Sequence, residues 1–223
     1  MTIFVINPNC LTQVTSGIDK AMDPFRIGGA PDIQCLTLAD GPPGIQTQAH
    51  VDLVVQPLLR EAARLEDQAS AFVIACFSDP GLYALREQSR LPVFGIAESG
   101  VLAALSLGHR FGVISILQTS VARHLRYFGA MGVSSRLAAD MAIGLSVSEL
   151  SDDERTLDRM TEVGCQLRQQ HGADVLVMGC AGMARFRDTL AERTGLPVVE
   201  PTQAAVGDAL TQSLMVRQTT IHR

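Results

Sequence analysis

Short runs of apolar residues alternate with longer amphipathic segments along most of the chain. The short runs are rich in valine, isoleucine and phenylalanine, which is typical of β-strands, and the longer segments have helical periodicity. This alternation is typical of parallel sheets covered by helices, so we predict the α/β fold class. The eight predicted strands are residues 3–6, 32–37, 71–75, 93–96, 110–115, 141–146, 175–178 and 198–199.

Two segments have the clearest helical pattern. Residues 51–68 place apolar side chains at helical spacing, with Pro57 as a complication because proline disrupts the interior of a helix. Residues 152–171 have the same kind of pattern, and Ser151 followed by Glu154 matches a capping box. We therefore predict a helix over each segment, with Ser151 as the N-cap of the second.

The chain contains an internal repeat. A predicted strand ends just before Cys76 and is followed by the Leu-Pro-Val segment 91–93; another ends just before Cys180 and is followed by Leu-Pro-Val at 196–198. The two cysteines lie 104 residues apart, and the two Leu-Pro-Val segments lie 105 residues apart. We interpret this recurrence as a duplicated α/β unit.

The duplication predicts two pseudo-symmetric lobes, each a parallel four-stranded sheet flanked by helices. We place the first lobe, with Cys76, at residues 1–97 plus 206–223, and the second, with Cys180, at residues 98–205. Because open parallel sheets bind ligands at the carboxyl ends of their strands, we predict the active site in the cleft between the lobes. The alternative is a chance recurrence in which both cysteines are buried as small apolar residues.

The composition limits the partners of the protein. Of its 223 residues, 47% are hydrophobic and 18% are charged, and no apolar run is long enough to span a bilayer, so we expect a globular protein without a membrane partner. The net charge is −5 without a lysine or arginine cluster, so we expect no nucleic-acid partner. The first residues lack the features of a secretory signal, which favours a cytoplasmic protein.

The same residues limit the cofactors. Lys20 is the only lysine, so a pyridoxal phosphate Schiff base would depend on that one residue. Five cysteines without a Cys-x-x-Cys pair argue against a disulfide framework and a zinc site, and the histidines lack metal-ligand spacing. We therefore predict free thiols, no metal and no cofactor.

Cys76 and Cys180 each stand between a strand and a predicted helix. Ser78 or Asp79 is a candidate cap for the helix after Cys76, and small residues follow Cys180. Because the positive end of a helix dipole lowers the pKa of a thiol, we expect either cysteine to act as a base. Two thiols facing each other across a cleft suit racemisation, in which one removes a proton and the other delivers one to the opposite face. The spacing leaves one alternative open, in which one cysteine is a nucleophile and the other a proton donor for cis–trans isomerisation.

Three segments together resemble one enzyme family. They are Ile-Asn-Pro-Asn at 6–9, Ala-Cys-Phe-Ser-Asp-Pro-Gly-Leu at 75–82, and Gly-Cys-Ala-Gly-Met at 179–183. At these separations they are similar to the hydantoin racemase and allantoin racemase family, within the aspartate/glutamate racemase superfamily. The likeness extends over nearly the whole chain.

The resemblance implies a cofactor-independent racemase in which Cys76 and Cys180 are the acid/base residues. Thr119, which follows Gln118 after the strand that opens the second lobe, occupies the place symmetric to Asn9, and we expect both to contact the substrate. The segment Glu200-Pro201-Thr202 departs from the Asp-Gly type of segment that is common in the relatives. The resemblance further implies that the backbone around four residues holds the carbonyl and amide groups of the substrate: Phe77, Ser78, Ala181 and Gly182.

The substrate implied by the resemblance is a small cyclic ureide, a 5-substituted hydantoin or allantoin, racemised at its ring carbon. The alternatives are an amino-acid racemase, a maleate-type cis–trans isomerase or arylmalonate decarboxylase-like enzyme, and a non-catalytic relative that binds a small metabolite. The apolar runs 102–107 and 125–131 also predict a homo-oligomer.

Overall fold

Eight parallel strands form two four-stranded sheets in the computed structural model, which describes residues 1–220 and the side chains of residues 1–215. The α/β class and the two lobes with four strands each are therefore confirmed. The strands are β1 (Thr2–Asn7), β2 (Asp32–Thr37), β3 (Ala69–Ile74), β4 (Val93–Gly95), β5 (Phe111–Ser115), β6 (Leu137–Ala142), β7 (Val175–Met178) and β8 (Val198–Val199).

The two sheets have the same strand order. The first is ordered β2-β1-β3-β4 and the second β6-β5-β7-β8, and every pairing is parallel. Each cysteine therefore follows the equivalent strand, β3 in the first lobe and β7 in the second. This equivalence is what a duplicated unit predicts.

Helices cover the sheets. None of those within residues 1–220 is long and apolar enough to cross a bilayer. The helices are α1 (Thr12–Ala21), α2 (Gln48–Leu53), α3 (Val55–Leu65), α4 (Leu82–Gln88), α5 (Ile96–Leu107), α6 (Gln118–Ala130), α7 (Asp153–His171), α8 (Arg187–Thr194) and α9 (Pro201–Thr220).

The central strands β1, β3, β5 and β7 are buried on both faces, as is typical of parallel sheets. In β1, Ile3 and Val5 face a central core, while Phe4 and Ile6 face a separate core on the outer side of the first lobe. The central core also contains Phe111 of β5 and residues of α5 and α9, so both lobes contribute to it. The lobes are therefore packed against each other through a common core.

The division of the chain between the lobes stays a prediction. Helix α5 contains the predicted boundary at residues 97 and 98, and it packs against α9 between the sheets. Helix α9 contains the other boundary at residues 205 and 206, and it contacts β3 and β4 of the first lobe. Residues 221–223, assigned to the first lobe, lie outside the described residues.

The prediction for the sixth strand was wrong by four residues. Strand β6 is Leu137–Ala142, not 141–146, and it ends where Gly144 adopts a φ of +76° in the left-handed region. Ile143, Leu145 and Val147 are nevertheless buried in the outer core of the second lobe. Their alternating burial outside the sheet explains the misleading strand-like pattern.

Two helix predictions need correction. The predicted helix 51–68 is divided at Val54, so that Pro57 lies in the first turn of α3, where its missing N–H is tolerated. The N-cap of α7 is Asp152, whose side chain accepts a hydrogen bond from the Arg155 N–H, and not Ser151. Ser151 instead ends a short 3₁₀ helix and donates to the Ser148 carbonyl.

Apolar side chains remain on the surface at the runs that suggested a homo-oligomer. Leu102 and Leu107 of α5 and Leu125 of α6 are exposed. The oligomeric state of the protein stays a prediction.

Candidate active site

A small cavity of about 30 Å³ lies between the lobes at the carboxyl ends of their strands. The first lobe lines it through the loops after β1 and β3, and the second through the loops after β5 and β7 and through α6. Thr119 is not among the lining residues. Seven of the eight residues expected at the site line the cavity: Asn9, Cys76, Phe77, Ser78, Cys180, Ala181 and Gly182.

The loops that carry the two cysteines are built alike. The N–H of Ala75 donates to the Ile6 carbonyl, and the N–H of Gly179 donates to the Ile114 carbonyl, so each loop leaves its sheet beside the central strand. The sulfur of Cys76 interacts with the backbone N–H of Ser78, and the sulfur of Cys180 interacts with that of Gly182. Each thiol therefore has a backbone donor two residues further along the chain.

The expectation that helix dipoles lower the pKa of both thiols was wrong. Burial raises the pKa of Cys76 to about 12 and that of Cys180 to about 11, although the backbone N–H groups of Ser78 and Gly182 act in the opposite direction. Helix α4 begins only at Leu82, and Cys180 precedes a short 3₁₀ helix, Ala181–Phe186. Desolvation of the thiolates therefore outweighs the donors around them.

The two thiols influence each other. A negative charge on Cys180 further raises the pKa of Cys76, so the two sulfurs are within electrostatic reach across the cavity. Like charges at this range disfavour the doubly ionised state, which makes a thiolate paired with a thiol the accessible reactive form. Two thiols that line one cavity from different lobes could serve as the acid and the base of a proton transfer through a carbon.

Asn9 is held rigidly by its neighbours. Its Oδ1 accepts hydrogen bonds from Asn7 Nδ2 at 3.1 Å and from the Leu11 N–H at 2.9 Å. Its backbone N–H donates to Asn7 Oδ1. Because its Oδ1 is engaged with the loop, the amide nitrogen of this cavity-lining residue is the group suited to donate to a ligand.

Gln118 and Thr119 lie at the exposed start of α6, outside the cavity. The hydroxyl of Thr119 donates to the backbone carbonyl of Gln46 in the first lobe, at 3.0 Å. The structure therefore brings Thr119 to a contact between the lobes rather than to the cavity.

The cavity is also lined by three residues of α6 that the sequence analysis did not assign to the site: Ser120, Arg123 and His124. All three are buried, together with Phe128 one turn further on. The signal was present in the sequence, because polar residues at positions 120, 123 and 124 share the helix face of an apolar residue at 128. Polar residues on the buried face of an amphipathic helix indicate a site or a buried polar network.

Known enzymes resemble this chain over most of its length. A hydantoin racemase from Paenarthrobacter aurescens is 33% identical over 209 residues, covering 92% of this chain and 88% of that protein. The Asp/Glu/hydantoin racemase family model matches residues 3–209. This chain belongs to that family. Its racemase relatives identify this protein as an isomerase of the racemase type.

Solved structures of the family have the same fold. The racemase aligns with an allantoin racemase from Pseudomonas fluorescens with a TM-score of 0.91 at 26% identity, covering 98% of this chain and 92% of that one. An allantoin racemase from Klebsiella pneumoniae gives a TM-score of 0.86 at 28% identity, covering 98% of this chain and 89% of that one. Both alignments extend across the two lobes and the cavity between them.

Asp79, predicted as a cap for the helix after Cys76, caps a different helix of the racemase. Its carboxylate accepts hydrogen bonds from the N–H groups of Ala97 and Glu98, both at 2.9 Å, in the first turn of α5. It also accepts from the Tyr127 hydroxyl of α6 at 2.8 Å. Burial raises the pKa of Asp79 to about 7 despite these donors. Asp79 therefore ties the cysteine loop of the first lobe to α5 and to α6 of the second.

Glu200 has the equivalent capping role in the second lobe, although it aligns in the repeat with Gly95 and not with Asp79. Its carboxylate accepts from the N–H groups of Thr202 and Gln203 and so caps the start of α9. It does not line the cavity, but its charge raises the pKa of Cys180. Glu200 thus acts on the cysteine through electrostatics.

The Asp79 cap predicts a strong effect of a methyl group at Gly95 in the racemase. A Cβ at this position would lie 2.3 Å from the Asp79 carboxyl group, so alanine displaces the carboxylate from the α5 N-terminus. We expect Gly95→Ala to lower the free energy of unfolding by about 2–4 kcal/mol, from the lost cap and the overpacking together.

The measurement is urea denaturation followed by circular dichroism. Gly17→Ala is the matched control, because a Cβ at this position of α1 meets nothing within 4 Å. The control is expected to raise stability by about 0.5–1 kcal/mol, since alanine favours a helix over glycine. Equal stability of Gly95→Ala and the parent protein would contradict the assigned cap.

Proposed function

We propose that this racemase inverts a five-membered cyclic ureide, a 5-substituted hydantoin or allantoin, by two-cysteine proton transfer without a cofactor. The observation that carries the proposal is the pair of equivalent thiols that line one cavity from different lobes. Cys76 follows β3 and Cys180 follows β7, and each sulfur has a backbone N–H two residues along the chain.

The proposed reaction needs no reagent other than the two cysteines and the substrate. The thiolate of one cysteine removes the proton from the ring carbon between the carbonyl and the nitrogen, and becomes a thiol. The electron pair delocalises onto the carbonyl oxygen. The thiol of the other cysteine then gives its proton to the opposite face of the carbon and becomes a thiolate. The two cysteines have then exchanged protonation states, which is the state needed to convert the product enantiomer back.

Donors are needed where the negative charge develops on the carbonyl oxygen. We assign this role to the Asn9 amide nitrogen and to the backbone N–H groups of Phe77 and Ala181, because those of Ser78 and Gly182 already interact with the cysteine sulfurs. These groups belong to loops fixed by hydrogen bonds to the sheets or within the loop. Donors held in place before the reaction stabilise the developing charge without reorganisation.

The relatives support the choice of substrate class. The matches in sequence and in structure include a hydantoin racemase and two allantoin racemases. Hydantoin and allantoin share the five-membered ureide ring, with a carbon acid flanked by a carbonyl group and a nitrogen. The ring substituent is the feature on which these relatives differ.

The test is incubation of the purified protein with single enantiomers of allantoin and of several 5-substituted hydantoins in deuterated buffer. We expect optical rotation to be lost and the ring proton to be replaced by deuterium, both well above the uncatalysed rates. Polarimetry and proton NMR follow the two processes in one sample. An unchanged rotation with no exchange for every cyclic ureide would overturn the proposal.

Racemisation of an acyclic acid is the second candidate, and Arg123 is the observation that favours it. Its guanidinium is buried at the cavity, and within the described part of the chain its Nε finds no hydrogen-bond partner. Its other nitrogens already donate to the carbonyls of Gln46 and Thr119 and to the Ser120 hydroxyl. Of the five N–H donors of the guanidinium, two therefore remain, the Nε–H and one on Nη2, and a carboxylate prefers such a pair of donors. The same assay with the enantiomers of aspartate and glutamate tests this candidate.

A further inference from the structure

A buried polar cluster adjoins the cavity and has no role in the two-cysteine mechanism. His124 of α6 places its Nδ1 at 2.8 Å from Asp140 Oδ2 on β6 and at 3.1 Å from Ser115 Oγ on β5. The Ser115 hydroxyl donates to the other oxygen of the Asp140 carboxylate. The Asp140 side chain has no exposed surface and that of His124 almost none. The cluster therefore fixes the imidazole ring through its Nδ1 atom.

The Asp140 contact determines which ring nitrogen carries the proton. A carboxylate only accepts hydrogen bonds, so Nδ1 of His124 is the donor in this contact. In a neutral imidazole with its proton on Nδ1, the other nitrogen, Nε2, is an acceptor. A histidine whose one nitrogen is bound to a carboxylate is held in a single tautomer and orientation, as in many metal and catalytic sites.

The His124 ring is part of the cavity wall. It lines the same cavity as Cys76 and Cys180, and it packs edge-on against Phe77 with ring centroids 5.1 Å apart. Within residues 1–220 no hydrogen bond is formed by Nε2, since both polar contacts of the ring are made by Nδ1. Nε2 is therefore free to accept a hydrogen bond from a ligand in the cavity.

We propose that Nε2 of His124 accepts a hydrogen bond from a ring N–H of the substrate and thereby selects cyclic ureides. This inference rests on the function proposed above. The other walls of the cavity offer donors, the Asn9 amide and backbone N–H groups, which match carbonyl oxygens. A cyclic ureide presents both kinds of group, carbonyl oxygens and ring N–H donors. A carboxylate has only acceptors, so a carboxylate placed against Nε2 would meet repulsion between lone pairs.

The first test uses the unmodified protein and changes the substrate. A 5-substituted oxazolidine-2,4-dione replaces the ring N1–H of the hydantoin by oxygen with little change in shape, and a 3-methylhydantoin removes the N3–H. For each analogue, the enzymatic exchange of the ring proton for deuterium is divided by its uncatalysed rate. We expect one analogue to lose about tenfold to a hundredfold in kcat/KM relative to the parent hydantoin.

The second test asks whether that loss depends on His124. His124→Phe removes the acceptor with a ring of similar shape, whereas His124→Gln retains an oxygen acceptor. We expect the discrimination between the hydantoin and the sensitive analogue to disappear in His124→Phe and to persist in part in His124→Gln. A merely structural role would lower both rates equally and leave their ratio unchanged.

Two outcomes separate the failure of this inference from that of the proposed function. If the wild-type protein turns over the parent hydantoin but neither analogue is discriminated, or if His124→Phe retains full discrimination, the inference about His124 is overturned and the proposed function stands. If the wild-type protein is inactive on every hydantoin and on allantoin, the proposed function fails and the inference fails with it. Circular dichroism of both variants identifies a variant that does not fold, and the analogue comparison on the wild type then decides alone.

Discussion

Replacing either Cys76 or Cys180 with serine is expected to lower kcat for racemisation by about a thousandfold or more. The reason is chemical, because a serine hydroxyl is a far weaker acid than a thiol and supplies almost no base at neutral pH. The reason is also geometric, because each thiol faces the cavity from its own lobe and no other cysteine lines it among the described residues. Loss of one thiol removes proton transfer at one face of the substrate carbon.

The two variants should differ in which enantiomer they exchange. In Cys76→Ser, the remaining Cys180 can still remove a proton from the enantiomer that faces it and return a deuteron to the same face. Cys180→Ser should show the same behaviour with the opposite enantiomer. Proton NMR measures the exchange of each enantiomer, and polarimetry measures the racemisation.

The matched control is Cys165→Ser. Cys165 is a partly buried cysteine of α7, and it does not line the cavity. Its variant should racemise at the wild-type rate, which separates the effect of a lost catalytic thiol from that of any cysteine substitution. Racemisation at the wild-type rate by either Cys76→Ser or Cys180→Ser would rule out the two-base mechanism.

Two properties of the sequence predicted the fold: the local pattern of apolar residues and the internal repeat. The short apolar runs before Cys76 and Cys180 are central strands, and their recurrence predicted two equivalent four-stranded sheets. The edge strand was misplaced, because Ile143 and Leu145 are buried beyond the end of β6. A pattern of burial identifies which residues are inside, but it does not identify which of them pair with a neighbouring strand.

The parts of the site that sequence missed depend on contacts between distant segments. Nothing near His124 in the chain indicates that Asp140 binds its ring, since α6 and β6 meet only in the folded lobe. In the same way, the prediction that Asp79 caps the helix directly after Cys76 was wrong, because its carboxylate caps α5, which begins after the next strand. The pKa shifts of the thiols had the wrong sign because the motif revealed the donors and not the depth of burial.

The raised pKa values of the thiols predict a steep dependence of activity on pH. The base in the reaction is a thiolate, and burial raises the pKa of Cys76 to about 12 and that of Cys180 to about 11. Below both values, the thiolate fraction rises tenfold for each unit of pH, while the partner thiol remains protonated. We therefore expect kcat/KM to rise by about a hundredfold between pH 7 and pH 9, along a line of slope near one in a logarithmic plot.

Two measurements check this profile. Initial rates of deuterium exchange between pH 6.5 and 9 give kcat/KM after subtraction of the base-catalysed background. Alkylation of Cys76 and Cys180 by iodoacetamide, followed by mass spectrometry, reports the thiolate fraction without any substrate, so ionisation of the substrate N–H groups does not enter. Because burial also restricts access of iodoacetamide to the thiols, the prediction is judged by the slope of the alkylation rate with pH and not by the absolute rate. A profile that levels off near pH 7.5 in both measurements would mean that the backbone donors of Ser78 and Gly182, and not desolvation, dominate the thiol pKa values.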